Sequence, residues 1–347
     1  MEGIFKQLVR RLTFLFLSLV GTIILIAIIL ITYKEEEEEE IIDQIEVLDE
    51  TILEWDAKKL IINNAKVTDL VKNGYYLIAE SSKFMGPLSK DPSKRYSGNN
   101  LSCTNCHLNG GTLSGSASWI DILDSFPQFR GRENKIGTIE ERINGCMERS
   151  MNGIKLDETS GQMKAIIAYI DWISKELNDL NSKNFKGYPA IKIPEVAVDL
   201  KIGSKIYERE CLLCHAKNGE GTRYENFEKG YLYPPLWGDD SYNDGAGMHR
   251  VITAAAFIKN NMPYLQATWE KPKLTDEEAF HVAGYINSFQ RPEKQNKTAD
   301  FPDKKLKPVS TPYGPWSDNF SSKQHKYGPF PPIISYYKKE FGLTKTK

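Results

Sequence analysis

The sequence predicts an all-α chain. Two similar helical units stand in tandem behind an N-terminal transmembrane helix and ahead of an extended C-terminal tail. Three observations predict it: one long uncharged run near the start, two copies of a C-x-x-C-H motif about a hundred residues apart, and a helical apolar period flanking each copy. At 347 residues the chain has room for two ordinary domains. A formal net charge of −1, with Lys and Arg spread along the chain, excludes the basic stripe that nucleic-acid binding requires.

Residues 1–33 are read as a short cytoplasmic stub and a membrane anchor. Lys6, Arg10 and Arg11 precede Leu12–Tyr33, 22 residues without a charge. As a helix that run spans about 33 Å, enough for the hydrocarbon core. It is longer than a signal-peptide core and lacks a small-residue cleavage pattern, so an anchor is preferred and cleavage is the alternative. Positive residues before the span and acidic ones after it place the N-terminus in the cytoplasm. The bulk of the chain then lies outside the inner membrane, in the periplasm. Residues 34–63 begin with Lys34 and six consecutive glutamates. Their mutual repulsion makes this an acidic, solvated spacer, with a short helix up to about residue 64.

The first unit is placed at 64–182. "VTDLVKNGYYLIAE" opens it as a helix with Gly74 and Tyr75, and "SGQMKAIIAYIDWISKEL" closes it, burying Ile166, Ile167, Ile170 and Ile173. Residues 183–195, rich in Gly, Pro and Lys, are read as a linker. The second unit, 196–292, opens with "DLKIGSKIYERECLLCH". Gly203 and Tyr207 share a helix face there, and the glycine lets another helix cross closely. That helix is "LTDEEAFHVAGYINSF", begun by a capping box of Thr275 and Glu278 and burying Phe280, Val282, Ala283 and Ile286. Residues 293–347 have little period but repeat Tyr-Gly-Pro and carry many aromatics. They are expected to wrap over one or both units.

C-x-x-C-H is the attachment signature of a c-type haem. Two thiols bond the porphyrin edge and the adjacent histidine ligates iron. Cys103, Cys106 and His107 supply one set, and Cys211, Cys214 and His215 the other. A zinc site would need four clustered ligands at each place, which the spacing lacks. Two covalently bound haem c groups follow, and with them export. The helical pattern of the second unit resembles a small cytochrome c domain of class I type, and the first repeats it with insertions.

Each iron needs a second axial ligand or a vacancy. In the second unit Met262, in a loop before Pro263, is favoured over Met248, which opens a helix and suits packing. In the first unit Cys146, the fifth cysteine, lies at a comparable distance, 39 residues after His107 against 47 from His215 to Met262. "TIEERINGCMERSM" reads as a helix capped by Thr138 and Glu141, with Arg142 one turn before the thiol and Arg149 nearly one turn after. Gly145 beside it is expected to admit a flat ring. A buried packing role is the ordinary fate of a free cysteine. An unpaired thiol in an exported chain, flanked by arginines, instead suggests a thiolate facing iron and a pocket for a small dianion.

Four stretches, "LSCTNCHLNGGT", "FPQFRGRENKIGTIEERINGCMERSMNG", "NDGAGMHRVITAAAFIKNNMP" and "KYGPFPPI", closely resemble the dihaem thiosulfate dehydrogenases. The similarity runs from about residue 70 to 335. It implies His107 and Cys146 as ligands of an active-site haem, His215 and Met262 as ligands of an electron-relay haem, and Arg132 and Arg142 as substrate clamps. It also implies the joining of two thiosulfates into tetrathionate, with two electrons passed to a soluble or membrane-bound, cytochrome c-like carrier. Asn261 stands where some relatives carry a competing lysine, so no ligand switch is expected. The chemistry suits the residues. Two unit charges about 4 Å apart in a site of effective dielectric near 20 repel by roughly 4 kcal/mol, and bidentate arginines offset this. Three other readings fit parts of the sequence: a membrane-tethered electron shuttle, a sulfur-transferring dihaem cytochrome, and a dihaem peroxidase, which would need no cysteine ligand.

Overall fold

Helix α1 (Glu2–Ile52) carries the apolar run straight into the glutamates without a break. Glutamate is a good helix former, and neither glycine nor proline interrupts residues 22–52, so the helix goes on where a spacer was expected. Residues 2–29 are long and apolar enough to cross a membrane, and their large side chains, from Ile4 to Ile29, lie exposed. The computed structural model describes residues 2–52, 61, 67–176 and 187–347. Parts of the expected spacer (53–60, 62–63) and linker (183–186) lie outside the described residues. Met1–Glu54 form one compact unit and Trp55–Lys347 another.

Within the larger unit the first bundle is α2 (Asp69–Ala79), α3 (Ile139–Met147) and α4 (Gly161–Glu176). The second is α5 (Leu200–Glu210), α6 (Val251–Asn261) and α7 (Asp276–Ile286), and α8 (Pro331–Phe341) lies in the tail. Side-chain caps start the helices: Thr68 for α2, Thr138 with Glu141 for α3, Asp199 for α5, and Thr275 with Glu278 for α7. Two small antiparallel hairpins, absent from the sequence reading, pair β1 (Gln128–Arg130) with β2 (Lys135–Gly137) and β3 (Thr222–Arg223) with β4 (Tyr231–Tyr233).

The two bundles use one device. Helix α2 crosses α4 at Gly74, where a Cβ would lie 2.0 Å from the Ala165 carbonyl oxygen. Helix α5 crosses α7 at Gly203, where a Cβ would lie 2.3 Å from the His281 carbonyl oxygen. Each crossing sets the helix that runs toward the attachment motif against the helix that closes the bundle. Ile166, Ile170 and Ile173 are buried on α4, Ile167 only partly; Phe280, Val282, Ala283 and Ile286 are buried on α7.

The bundles are interleaved. Tyr231, Tyr242 and Ala246 enter the first core, and Leu108 enters the second. Asn99 Nδ2 donates to Ser241 O (3.1 Å), and Asn243 N donates to Arg149 O (3.1 Å). The tail covers both. Phe330, Ile333 and Tyr337 complete the second core, while Asp300 and Tyr313 reach Arg132 of the first bundle. The Lys307 ammonium, inside the tail, donates to Tyr313 O (3.0 Å) and Pro315 O (2.9 Å).

Candidate active site

The turn Cys103–Asn105 is fixed at its start, where Ser102 N donates to Asn105 Oδ1 (2.8 Å) and Asn105 Nδ2 donates to Tyr231 O (3.3 Å). His107 N closes the loop onto Cys103 O (3.0 Å). The imidazole Nδ1 faces Ala117 O at 2.8 Å, and Trp119 packs on the ring at a centroid distance of 4.6 Å. A carbonyl accepts only, so Nδ1 carries the proton and Nε2 is left for a metal. The second motif repeats this. His215 N bonds Cys211 O (2.9 Å), His215 Nδ1 faces Pro234 O (2.8 Å), and Tyr207, behind the loop, donates to Ala216 O (2.6 Å).

Cys103, Cys106 and His107 open on a cavity of about 210 Å³, partly open to solvent. Its walls are mainly apolar, with Ile78, Leu101, Ile166 and Ile170 among them. Cys146 and Arg142 belong to the same walls. Helix α3 places them there, since residues four apart share a face. Arg142 Nη1 lies 2.7 Å from Cys146 Sγ. An apolar slot with two thiols, one imidazole whose Nε2 is not held by the backbone, and a further sulfur beside that imidazole fits a covalently held haem. Among the described residues no group of three or more His, Cys, Asp or Glu is arranged to hold a bare metal ion.

The five thiols are not equivalent. Burial pushes Cys103, Cys106 and Cys211 up to about 12. Burial also acts to raise Cys146, but the Arg142 guanidinium and His107 outweigh it and bring it down to about 6. Cys146 is the one thiol in this cavity set up to be a thiolate at neutral pH.

The remaining sequence-predicted residues fall in different places. Arg132 does not line the cavity. Its Nη1 donates to Asp300 Oδ2 (2.7 Å) and Gly245 O (3.0 Å), and its guanidinium sits over the Phe301 ring. Arg149 is buried against the other Asp300 oxygen (2.7 Å). Gly145 does not offer a face to a ring. A Cβ there would meet Arg130 Nη2 (3.4 Å) and Arg149 Nη1 (3.5 Å), because the residue before Cys146 points about 100° away around the helix. Met248, on the 3₁₀ turn Gly247–His249, lines the first cavity and packs against both cores. Met262 caps α6, half-buried against the second core that also borders Cys211. The sequence reading missed Asp300 and Tyr313. Tyr313 OH donates to Asp300 Oδ2 (2.7 Å), and nothing local marks a carboxylate so far along the chain from Arg132.

Two covalent attachment motifs on two small helical bundles define a dihaem c-type cytochrome that acts as an oxidoreductase. The profile of the SoxA/TsdA cytochrome c domain matches residues 93–178, and that of subunit III of cbb3-type cytochrome c oxidase matches 198–286. A thiosulfate dehydrogenase from Stutzerimonas stutzeri (strain A1501) is 36% identical over 225 residues, 65% of this chain and 71% of that one. One from Psychrobacter arcticus is 41% identical over 207 residues, 59% and 61% of the two chains. The solved thiosulfate dehydrogenase (TsdBA) from Marichromatium purpuratum superposes with a TM-score of 0.58 at 34% identity, covering 66% of this chain. This chain spans 47% of the length of that one. The chain belongs to the thiosulfate dehydrogenase family.

Proposed function

We propose that this protein interconverts thiosulfate and tetrathionate at the first cavity, where His107 and Cys146 would hold the iron of one haem c, while His215 and Met262 would hold that of the second. The observation that carries this reading is the contact of Arg142 Nη1 with Cys146 Sγ at 2.7 Å, in the cavity that Cys103, Cys106 and His107 share. Bound haem c accepts single electrons, so a pair of haems matches a reaction in which two thiosulfates (each 2−) give one tetrathionate (2−) and two electrons.

The protein's own part begins with charge. Arg142 stabilises the Cys146 thiolate and offers its remaining N–H groups to an incoming sulfonate. Arg132, fixed by Asp300, adds positive charge from behind the wall. Cys146 sulfur bonds the outer sulfur of one thiosulfate, losing two electrons to give Cys–S–S–SO₃⁻. The outer sulfur of a second thiosulfate attacks the middle sulfur, tetrathionate leaves, and the thiolate returns. Run backwards, the same steps reduce tetrathionate.

Electrons leave by the second unit to a soluble or membrane-bound, cytochrome c-like carrier. Leu213, 92% exposed and next to Cys214, supports this exit because it puts the second motif at the surface. Residues 2–29 anchor the protein in the inner membrane with the larger unit in the periplasm. Steady-state assays with thiosulfate plus ferricyanide, and with tetrathionate plus a reduced dye, test the reaction. Turnover in at least one direction is expected, and silence in both overturns the reading.

A further inference from the structure

Five arginines stand in or around the wall that carries Cys146, and four have partners. Arg142 is on Cys146 sulfur (2.7 Å) and Arg130 is on Glu133 (3.0 Å). Arg132 and Arg149 share the Asp300 carboxylate, each at 2.7 Å. The fifth is Arg250, at the N-terminus of α6. Among the described residues its guanidinium makes no hydrogen bond and no ion pair, and its Nε is buried without an acceptor.

Arg250 does not itself line the cavity; the geometry ties it to the layer directly behind this wall. Arg132 Nη1 rests on Gly245 O (3.0 Å), and Arg250 Nη2 lies 3.2 Å from where a Cβ on Gly247 would be. The two guanidinia therefore flank one short turn, and Met248, next along it, lines the cavity. Burial, followed by Arg132, lowers Arg250 to about 9; Tyr313 opposes the shift, and Arg142 and Arg149 add smaller effects to it. Lys347 is lowered by burial and then by Arg250 and Arg142. Among the described residues no carboxylate pairs with this cation, and one kept among like charges is costly. An anion arriving at that point recovers the cost.

The two arginines nearest the chemistry are already engaged, Arg142 by sulfur and Arg132 by a carboxylate. The proposed reaction brings together two dianions, each with three sulfonate oxygens. We propose that Arg250 is a sulfonate-binding residue for the second thiosulfate, and for the matching end of tetrathionate. The inference rests on the thiosulfate–tetrathionate reading. Its guanidinium has the paired N–H groups to take two sulfonate oxygens at once.

The test is R250Q and R250K in the dihaem enzyme, assayed beside the wild type with thiosulfate and ferricyanide and with tetrathionate and a reduced dye. R250Q should raise KM for thiosulfate at least tenfold, the size of a lost charge-assisted hydrogen bond. The absorption spectrum of both haems should stay unchanged, which a merely structural defect at this wall would not allow. R250K keeps the charge but not the fork, and should raise KM by at least threefold. Wild-type KM for both substrates in R250Q overturns the inference. If R250Q does not yield dihaem protein, R250K decides, and a wild-type KM there overturns it equally. A silent wild type defeats the proposed reaction itself, whereas an active wild type with unaltered variants defeats only this subsite.

Discussion

Replacing Asp300 by asparagine strikes the point where the tail grips the first bundle. Its carboxylate is 6% exposed and takes Arg132 Nη1, Arg149 Nη2 and Tyr313 OH, each at 2.7 Å. Asparagine removes the charge and turns one oxygen into an N–H that faces a donor. Breaking a buried ion pair by removing one partner costs about 3–5 kcal/mol. A unit of this size loses roughly 2 °C of Tm per kcal/mol, so D300N should melt about 6–10 °C below the wild type, followed by far-ultraviolet circular dichroism. The effect has a pH signature. Burial acts to raise the Asp300 carboxyl, but Arg132 and Arg149 outweigh it and hold the carboxyl below its ordinary value. A folded value below the unfolded one gives stability that is complete above the unfolded carboxylate range, near pH 4, and is lost as pH falls through the folded value. The gap between D300N and wild type should be constant from pH 5 to 8 and close in stronger acid. A Tm drop under about 2 °C, or a gap that persists at low pH, refutes the argument.

Other substitutions probe other links. Gly203→Ala puts a Cβ 2.3 Å from a backbone oxygen, so α5 and α7 must separate. We expect a loss of at least about 1–3 kcal/mol, read by chemical denaturation, and little change at the first haem. Met262→Ala should shift the absorption spectrum and lower the potential of one haem, measured by redox titration. Met248→Ala should leave that haem as it was and disturb only the other. Tyr313→Phe removes one of three donors to Asp300 and should cost about 1 kcal/mol by the same melting assay, far less than D300N.

The parts of this fold written locally were legible. The attachment motifs and the capping boxes at Thr138 and Thr275 each depend on residues a few positions apart, and the crossing at Gly203 showed itself through the Gly203/Tyr207 spacing on one helix face, although its partner His281 is distant. Cys146 and Arg142 were legible for the same reason, since one helical turn sets their distance. What the sequence hid is long-range. Asp300 joins Arg132 across 168 residues and Arg149 across 151, and no local pattern marks such a pairing. Arg250 reads as an ordinary residue before a helix until its lack of a partner is seen. Gly145 was misjudged because being next to Cys146 in sequence means pointing elsewhere on a helix. The hairpins at 128–137 and 222–233 are too short to show a two-residue period.

The proposed reaction turns on Cys146 sulfur serving the first haem. Low-temperature electron paramagnetic resonance of the oxidised wild type and of C146A measures this directly. The wild type should show two low-spin species, one with the narrow spread of g values typical of thiolate ligation, and C146A should lose that species alone. Identical spectra from the two proteins would contradict the account.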